Sequence, residues 1–232
     1  MKFLILLLLS IPYSFAATWV TNKDHSEILF QVPYMGVSDV TGRFNEFDGA
    51  VVFRPDMKAI DSLTVEIAAA SIDTGNKMRD GHLRGSDFFK SQEFQFITFK
   101  SNKVKTLKDK SFEAEGTLTV KGISKPSVIQ FSTTESLKDT WGYENKFVKF
   151  KSTLNRKDFN INWNKTLDGK EFLVGDTIAF WGTFQVQPSN GKTPNSKHMI
   201  PDTTYIRERD LQRRTEDESW LSKKVRALIN GK

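Results

Sequence analysis

The chain of 232 residues contains no cysteine. That absence excludes a disulfide framework, a thiolate metal site and a catalytic thiol, and with them anchoring through a lipidated N-terminal Cys. Histidine is nearly as scarce, with three in the chain. Neither His25 nor His198 has a local ligand partner, and Asp80 and His82, two positions apart, fall on different sides of a helix. No Gly-rich phosphate loop occurs, so no catalytic residue, metal or cofactor is expected.

A long apolar run is also missing. The opening MKFLILLLLSIPYSFAA has one Lys, an apolar run from Phe3 to Leu9, Pro12, and small residues at Ser14 and Ala16. That run is far below the roughly 20 residues of a membrane span. It reads as a secretory signal peptide over 1–16, because cleavage after Ala17 would put bulky Phe15 where a small side chain is wanted. The mature protein is therefore expected to work outside the cytoplasm. Nor does one sign of charge dominate: 34 basic and 28 acidic residues leave a net +6. Their interspersion suits a solvated surface rather than a nucleic-acid partner, with a weak attraction to anionic lipid surfaces.

What the sequence has in quantity is alternation. In EILFQV, Ile28, Phe30 and Val32 alternate with Glu27, Leu29 and Gln31; in LTVEIA, Leu63, Val65 and Ile67 alternate with Thr64 and Glu66. FEAEGTLTV and FVKFKSTL repeat the pattern, placing Phe112, Leu118 and Phe150 on dry faces. Turn signals such as Gly36, Gly49, Pro55-Asp56, Gly122 and Gly175-Asp176 separate about eight strands, which suggests a closed barrel or a sandwich. After Gln187 the character changes. Residues 188–202 read as a turn-rich linker, and 203–232 as a charged amphipathic helix with Leu221, Val225, Leu228 and Ile229 on one face.

The dry faces become small at mid-strand: Gly182 between Phe180 and Phe184, Gly116 between Ala114 and Leu118, Ser152 between Phe150 and Leu154. Small inward residues leave volume for an apolar ligand, unless some of the 19 Phe fill it. A cavity so lined would favour a hydrocarbon chain, at about 0.8 kcal/mol per buried CH₂. The candidate lining is Phe30, Val32, Val65, Ile67, Phe99, Leu118, Phe131, Phe150, Phe180 and Phe184.

The densest polar stretch is SIDTGNKMRDGHLRGSDFF, residues 71–89. Asp73 or Thr74 is placed to cap a short helix, Arg79 and Asp80 to pair with each other or with nearby backbone, and Leu83, Phe88 and Phe89 to plug a barrel end. Here the chain resembles the YceI family of exported, lipocalin-like proteins associated with polyisoprenoids and similar amphiphilic lipids. HSEILFQV and GRFNEFDGAVVF precede the stretch, and FQFITFKSNKV, GTLTVKGISKPSVIQF, RKDFNINW and VGDTIAF follow in the family's order, over about 25–187.

The resemblance implies an all-β fold: an eight-stranded antiparallel barrel over 17–187, with a long apolar pore and a short helical segment. To this the sequence adds a C-terminal helical extension. The resemblance makes 71–89 a helical closure framed by Asp73, Arg79, Asp80 and His82. Two positions depart from the pattern: Tyr34 stands where many relatives carry His, which bears on any head-group contact there, and Asn160 where they often have Gly. The functional expectation is a carrier that encloses the tail of a polyisoprenoid, isoprenoid quinone or fatty-acyl lipid without catalysis. The alternative is a filled structural barrel whose C-terminal helix binds a protein partner or the membrane surface. A second copy of the chain, as a homodimer, is the remaining candidate partner.

Overall fold

A computed structural model describes residues 17–108, 110–167 and 171–189. The expected signal peptide, the C-terminal helix and nearly all of the linker lie outside the described residues. The strands are β1 (Ala17–Tyr34), β2 (Ser38–Phe44), β3 (Phe47–Phe53), β4 (Ile60–Ala68), β5 (Ile72–Asp73), β6 (Phe96–Thr106), β7 (Ser111–Val120), β8 (Ile123–Thr133), β9 (Leu137–Lys138), β10 (Glu144–Asn155), β11 (Thr166–Leu167), β12 (Glu171–Phe172) and β13 (Thr177–Pro188). Among the described residues one α-helix, α1 (Lys77–Arg84), interrupts them.

Eight strands close a barrel in the order β1, β3, β4, β6, β7, β8, β10, β13, with β13 returning to pair antiparallel with β1. Closure removes the unpaired edges a sandwich would leave, and decides between the two architectures. β2 and β3 lie end to end along the 18-residue β1, pairing with its second and first halves respectively. The break at Asn45–Glu46 lets β2 leave β4 and take β5 as its other neighbour. The β7–β8 hairpin turns through Lys121 and Gly122, both at positive φ (49° and 74°), the left-handed pair a two-residue turn requires.

Alternation is cleanest on β7, where Phe112, Ala114, Gly116, Leu118 and Val120 are all buried. The mid-strand glycines do not open volume. A Cβ on Gly182 would sit 2.7 Å from the Phe150 ring, and one on Gly116 2.8 Å from that of Phe99. The missing side chains are the seats of these rings, which corrects the expectation that small residues leave the barrel hollow there. Phe184 packs on Phe150 and Phe47, with centroids 5.3 and 5.4 Å apart, and Phe112 stacks on Phe131 at 5.3 Å. One half of the barrel is thus filled.

The filled end buries a charge. Lys146 is 4 % exposed, with Nζ 5.3 Å from the Phe53 ring centroid and 5.9 Å from that of Trp19, and it donates to the Thr134 carbonyl at 3.4 Å. Desolvation holds its pKa below the ordinary lysine value, against the opposing pull of Glu135. Between the lowered folded value and the ordinary one the unfolded chain binds the proton more tightly, so stability rises with pH across that window. Lys146→Met is expected to raise stability by about 1 kcal/mol at neutral pH and to flatten this alkaline rise. Denaturant unfolding at neutral and alkaline pH reads both effects, and an unchanged alkaline slope would assign the rise to another group.

Candidate ligand-binding site

The other half of the barrel is hollow. A cavity of about 480 Å³ opens to solvent at the end where β1, β4, β7 and β10 finish and β6 and β13 begin. Its wall is drawn from six of the eight barrel strands: Ile28, Phe30 and Val32 of β1, Ile67 of β4, Ile97 of β6, Leu118 and Val120 of β7, Leu154 of β10, Ile178 and Phe180 of β13. β2 adds Val40 and Phe44, while Leu83, Phe88, Phe89, Phe159, Ile161 and Trp163 close over the top. The polar side chains at its boundary, Tyr34, Thr74, Asn76, Arg79, His82 and Arg156, come from the mouth and the closing segments.

The stretch 71–89 is built as a closure whose polar groups face inward on one another. Asn76 caps α1, accepting from the N–H groups of Met78 and Arg79 at 3.1 Å each. It takes the role expected of Asp73 or Thr74, because the chain enters the helix three residues later than Asp73 would require and two later than Thr74 would. Asp73 instead makes a turn, accepting from the Gly75 N–H at 2.9 Å and from Asn45 at 3.4 Å. The Gly75 N–H is the chief cause holding its carboxyl below the ordinary range. Asp80, 5 % exposed, accepts from both the N–H and the hydroxyl of Thr74, at 2.9 and 2.6 Å. Arg79 meets the same Thr74 from outside, donating to its hydroxyl and carbonyl at 2.8 and 3.0 Å. Arg79 and Asp80 therefore converge on a shared threonine rather than pairing with each other.

His82 has its Nε2 2.9 Å from an Asp87 carboxylate oxygen, and its ring stands edge-on to Phe88 and Trp163, each 5.0 Å between centroids. Arg84, which sequence reasoning passed over, ties α1 to the strand below by donating to the carbonyls of Ala70 and Ile72 at 2.7 and 2.8 Å. No cluster of three metal-ligating side chains occurs among the described residues.

A second group that sequence reasoning missed is Arg156, 3 % exposed. Its guanidinium donates to the carbonyls of Gly175, Ile161, Trp163 and Val174 and to Asp176 Oδ1, at 2.7–3.3 Å. A buried guanidinium is tolerable only when its fork is paired in this way. It gathers 161–163 and 173–176, which carry no periodicity, into the cavity roof. The only sign of it was its place in RKDFNINW. In the same segment Asn160 adopts φ 53°, ψ 34°, a left-handed conformation that Asn tolerates better than other non-Gly residues and that accounts for its standing where relatives often have Gly.

Of the residues expected to line a cavity, Phe30, Val32, Tyr34, Ile67, Leu118 and Phe180 do so. Val65, Phe99, Phe131, Phe150 and Phe184 do not. All five face inward but lie deeper, where the rings seated over glycine have already filled the interior. Period two reports which face a side chain occupies and carries no information on depth along the barrel.

Comparison with known proteins agrees with this architecture. A UPF0312 protein of Vibrio cholerae serotype O1 (strain M66-2) is 35% identical over 156 residues, 66% of this chain and 82% of the relative. A UPF0312 protein of Yersinia pestis (strain Pestoides F) is 34% identical over 148 residues, 63% of this chain and 77% of the relative. Among solved structures, Burkholderia cenocepacia BcnA superposes with a TM-score of 0.60 at 21% identity, over 71% of this chain and 98% of its own. The Campylobacter jejuni YceI protein gives 0.57 at 24%, over 81% and 98%. A polyisoprenoid binding domain from Saccharophagus degradans, implicated in plant cell wall breakdown, gives 0.54 at 12%, over 75% and 99%. At these identities the structures speak to the fold. The YceI-like domain model matches residues 19–186, the whole barrel, and the chain belongs to that family.

Proposed function

We propose that this protein is a periplasmic carrier that holds the apolar chain of an amphiphilic lipid, such as a polyisoprenoid, an isoprenoid quinone or a fatty-acyl lipid, and performs no covalent chemistry on it. The observation that carries the reading is the cavity itself: about 480 Å³ of half-open space with apolar walls and polar groups confined to its mouth and roof. That is the form of a small-molecule site rather than of a packing defect. The polyisoprenoid binding domain of Saccharophagus degradans, which shares the fold, supports the ligand class.

Binding rather than catalysis is favoured because the charged groups around the cavity are already committed. Asp80 and Arg79 are bound to Thr74, and Arg156 to four carbonyls and a carboxylate. The lipid is the only bound group we assign, with no further cofactor, and the signal-like opening supports export. Val37 and Met78, 87 % and 88 % exposed, supply apolar surface beside the mouth, in the β1–β2 turn and on α1.

The test is mass spectrometry of organic extracts from the purified mature protein, under native and denaturing conditions. A stoichiometric isoprenoid or acyl lipid released only on denaturation is the expected result. A stable protein that arrives empty and fails to take up added lipids would return the barrel to a structural role.

A further inference from the structure

Resting on that lipid-binding reading, we infer that the rim on the β2 side of the mouth is a docking surface for an anionic bilayer, and that the protein meets its lipid with this rim set into the headgroup layer. The two most exposed large apolar side chains among the described residues, Val37 and Met78, both stand there. Val37 is in the β1–β2 turn, three residues past the cavity residue Tyr34. Met35 and Gly36 hold that turn in left-handed conformations, at φ 55° and 69°, and Met35 is itself exposed. Met78, on the first turn of α1, borders the cavity from its outer edge. The loop into α1 packs on β2, where a Cβ at Gly42 would meet the Thr74 methyl at 2.9 Å, and this brings α1 to the side of the mouth where the turn lies. Apolar surface therefore runs from the cavity wall, through Val40 and Met78, out to solvent.

Each apolar tip has a lysine at its side. Lys77 adjoins Met78 in the chain. Lys165 is drawn beside Met35 by two backbone hydrogen bonds, from the Met35 N–H to the Leu173 carbonyl at 2.9 Å and from the Leu173 N–H to the Lys165 carbonyl at 2.8 Å. Both lysines are exposed. The acids of the closure are engaged within the protein: Asp80 by Thr74, Asp87 by His82, Asp176 by Arg156 and Lys157. The turn region adds one exposed acid, Asp39. Apolar tips flanked by free ammonium groups suit a lipid surface, the tips entering the acyl boundary and the ammonium groups meeting phosphates. Two or three side chains fall far short of the roughly 800 Å² per partner of a stable protein interface, whereas a bilayer receives them without shape matching. The other exposed apolar cluster, Leu107, Leu137 and Trp141, lies at the filled end, where a membrane would face no opening.

The test is sedimentation of the full-length mature protein with vesicles of phosphatidylcholine, with and without phosphatidylglycerol, alongside farnesol binding in vesicle-free solution. The protein is expected to sediment with the anionic vesicles and to be released as salt rises. Val37→Asp and Met78→Asp are each expected to weaken partition roughly tenfold. Lys77→Glu combined with Lys165→Glu is expected to weaken it about as much, on the anionic vesicles alone. Trp141→Ser is expected to leave it unchanged. All of these side chains are exposed, so folding is expected to survive each change, and Val37→Asp is expected to keep the wild-type affinity for farnesol in solution. Undiminished sedimentation of folded Val37→Asp and Met78→Asp proteins, or its loss in Trp141→Ser, would overturn the rim as the docking surface. So would a wild type that takes up farnesol yet ignores anionic vesicles. A wild type that docks but takes up no farnesol would instead overturn the lipid-binding reading.

Discussion

Replacing Arg156 by methionine is expected to lower folding stability by about 3–5 kcal/mol, which for a domain of this size is a fall of roughly 10 °C in Tm. The loss follows from what the side chain leaves behind. Four carbonyls and the Asp176 carboxylate lose a donor; the Val174 carbonyl keeps Asn164 and Asp176 keeps Lys157, while the Gly175, Ile161 and Trp163 carbonyls lose the guanidinium, at about 1–3 kcal/mol for each acceptor that water does not reach. Arg156→Lys is expected to recover less than half of the loss. An ammonium is a single point with three donors and cannot reach carbonyls on two separate segments at once. Thermal unfolding of the two variants and the wild type checks this. A lysine variant as stable as the wild type would show that only the charge matters, and would place the gathering of 161–163 and 173–176 elsewhere. Because Ile161, Trp163 and Val174 belong to the cavity boundary, the methionine variant is also expected to lose ligand affinity in step with stability.

Phe180→Arg is expected to separate the two properties. Phe180 is half-buried and faces the hollow, so a longer side chain has space to occupy, and the cost to folding is expected to stay near 1–3 kcal/mol. For an apolar tail the same change is severe. It places a guanidinium at the bottom of the site, and the ligand must then desolvate a charge it cannot pair, for a loss of about a hundredfold or more in affinity. Phe131→Leu is the contrast. Its ring stacks on Phe112 in the filled half, so it is expected to reduce stability while leaving ligand affinity near the wild-type value. Titration of the three proteins with farnesol, alongside thermal melts, distinguishes these outcomes. Unchanged affinity in Phe180→Arg would mean that the tail does not lie in this cavity, and lost affinity in Phe131→Leu that the tail reaches into the filled half.

Side-chain alternation was enough to identify the strands, because a pleated strand with one solvated face has to place every second residue inward. Ile28, Phe30, Leu118 and Phe180 were correctly faced on that ground alone. The closing stretch 71–89 was also recognisable, since so many polar groups in nineteen positions must satisfy one another. Which atom meets which was not: the convergence of Asp80 and Arg79 on Thr74, and the capping of α1 by Asn76, depend on how the loop from β5 turns back. Arg156 was illegible for a related reason. Its partners are carbonyls, which every residue carries, so no residue type in the sequence marks where a guanidinium finds them.

The sequence by itself therefore determined an all-β chain of about eight strands, with the inward residue of each pair and a polar closure at one end, because these follow from local periodicity and from the need to pair buried polar groups. Only the tertiary structure decided that the ends of the sheet join into a barrel, and that Phe99 and Phe150 lie over Gly116 and Gly182 from neighbouring strands. Whether an inward glycine opens a cavity or seats an aromatic ring depends on the strand beside it, and that neighbour is set by pairing across the barrel, far away along the chain.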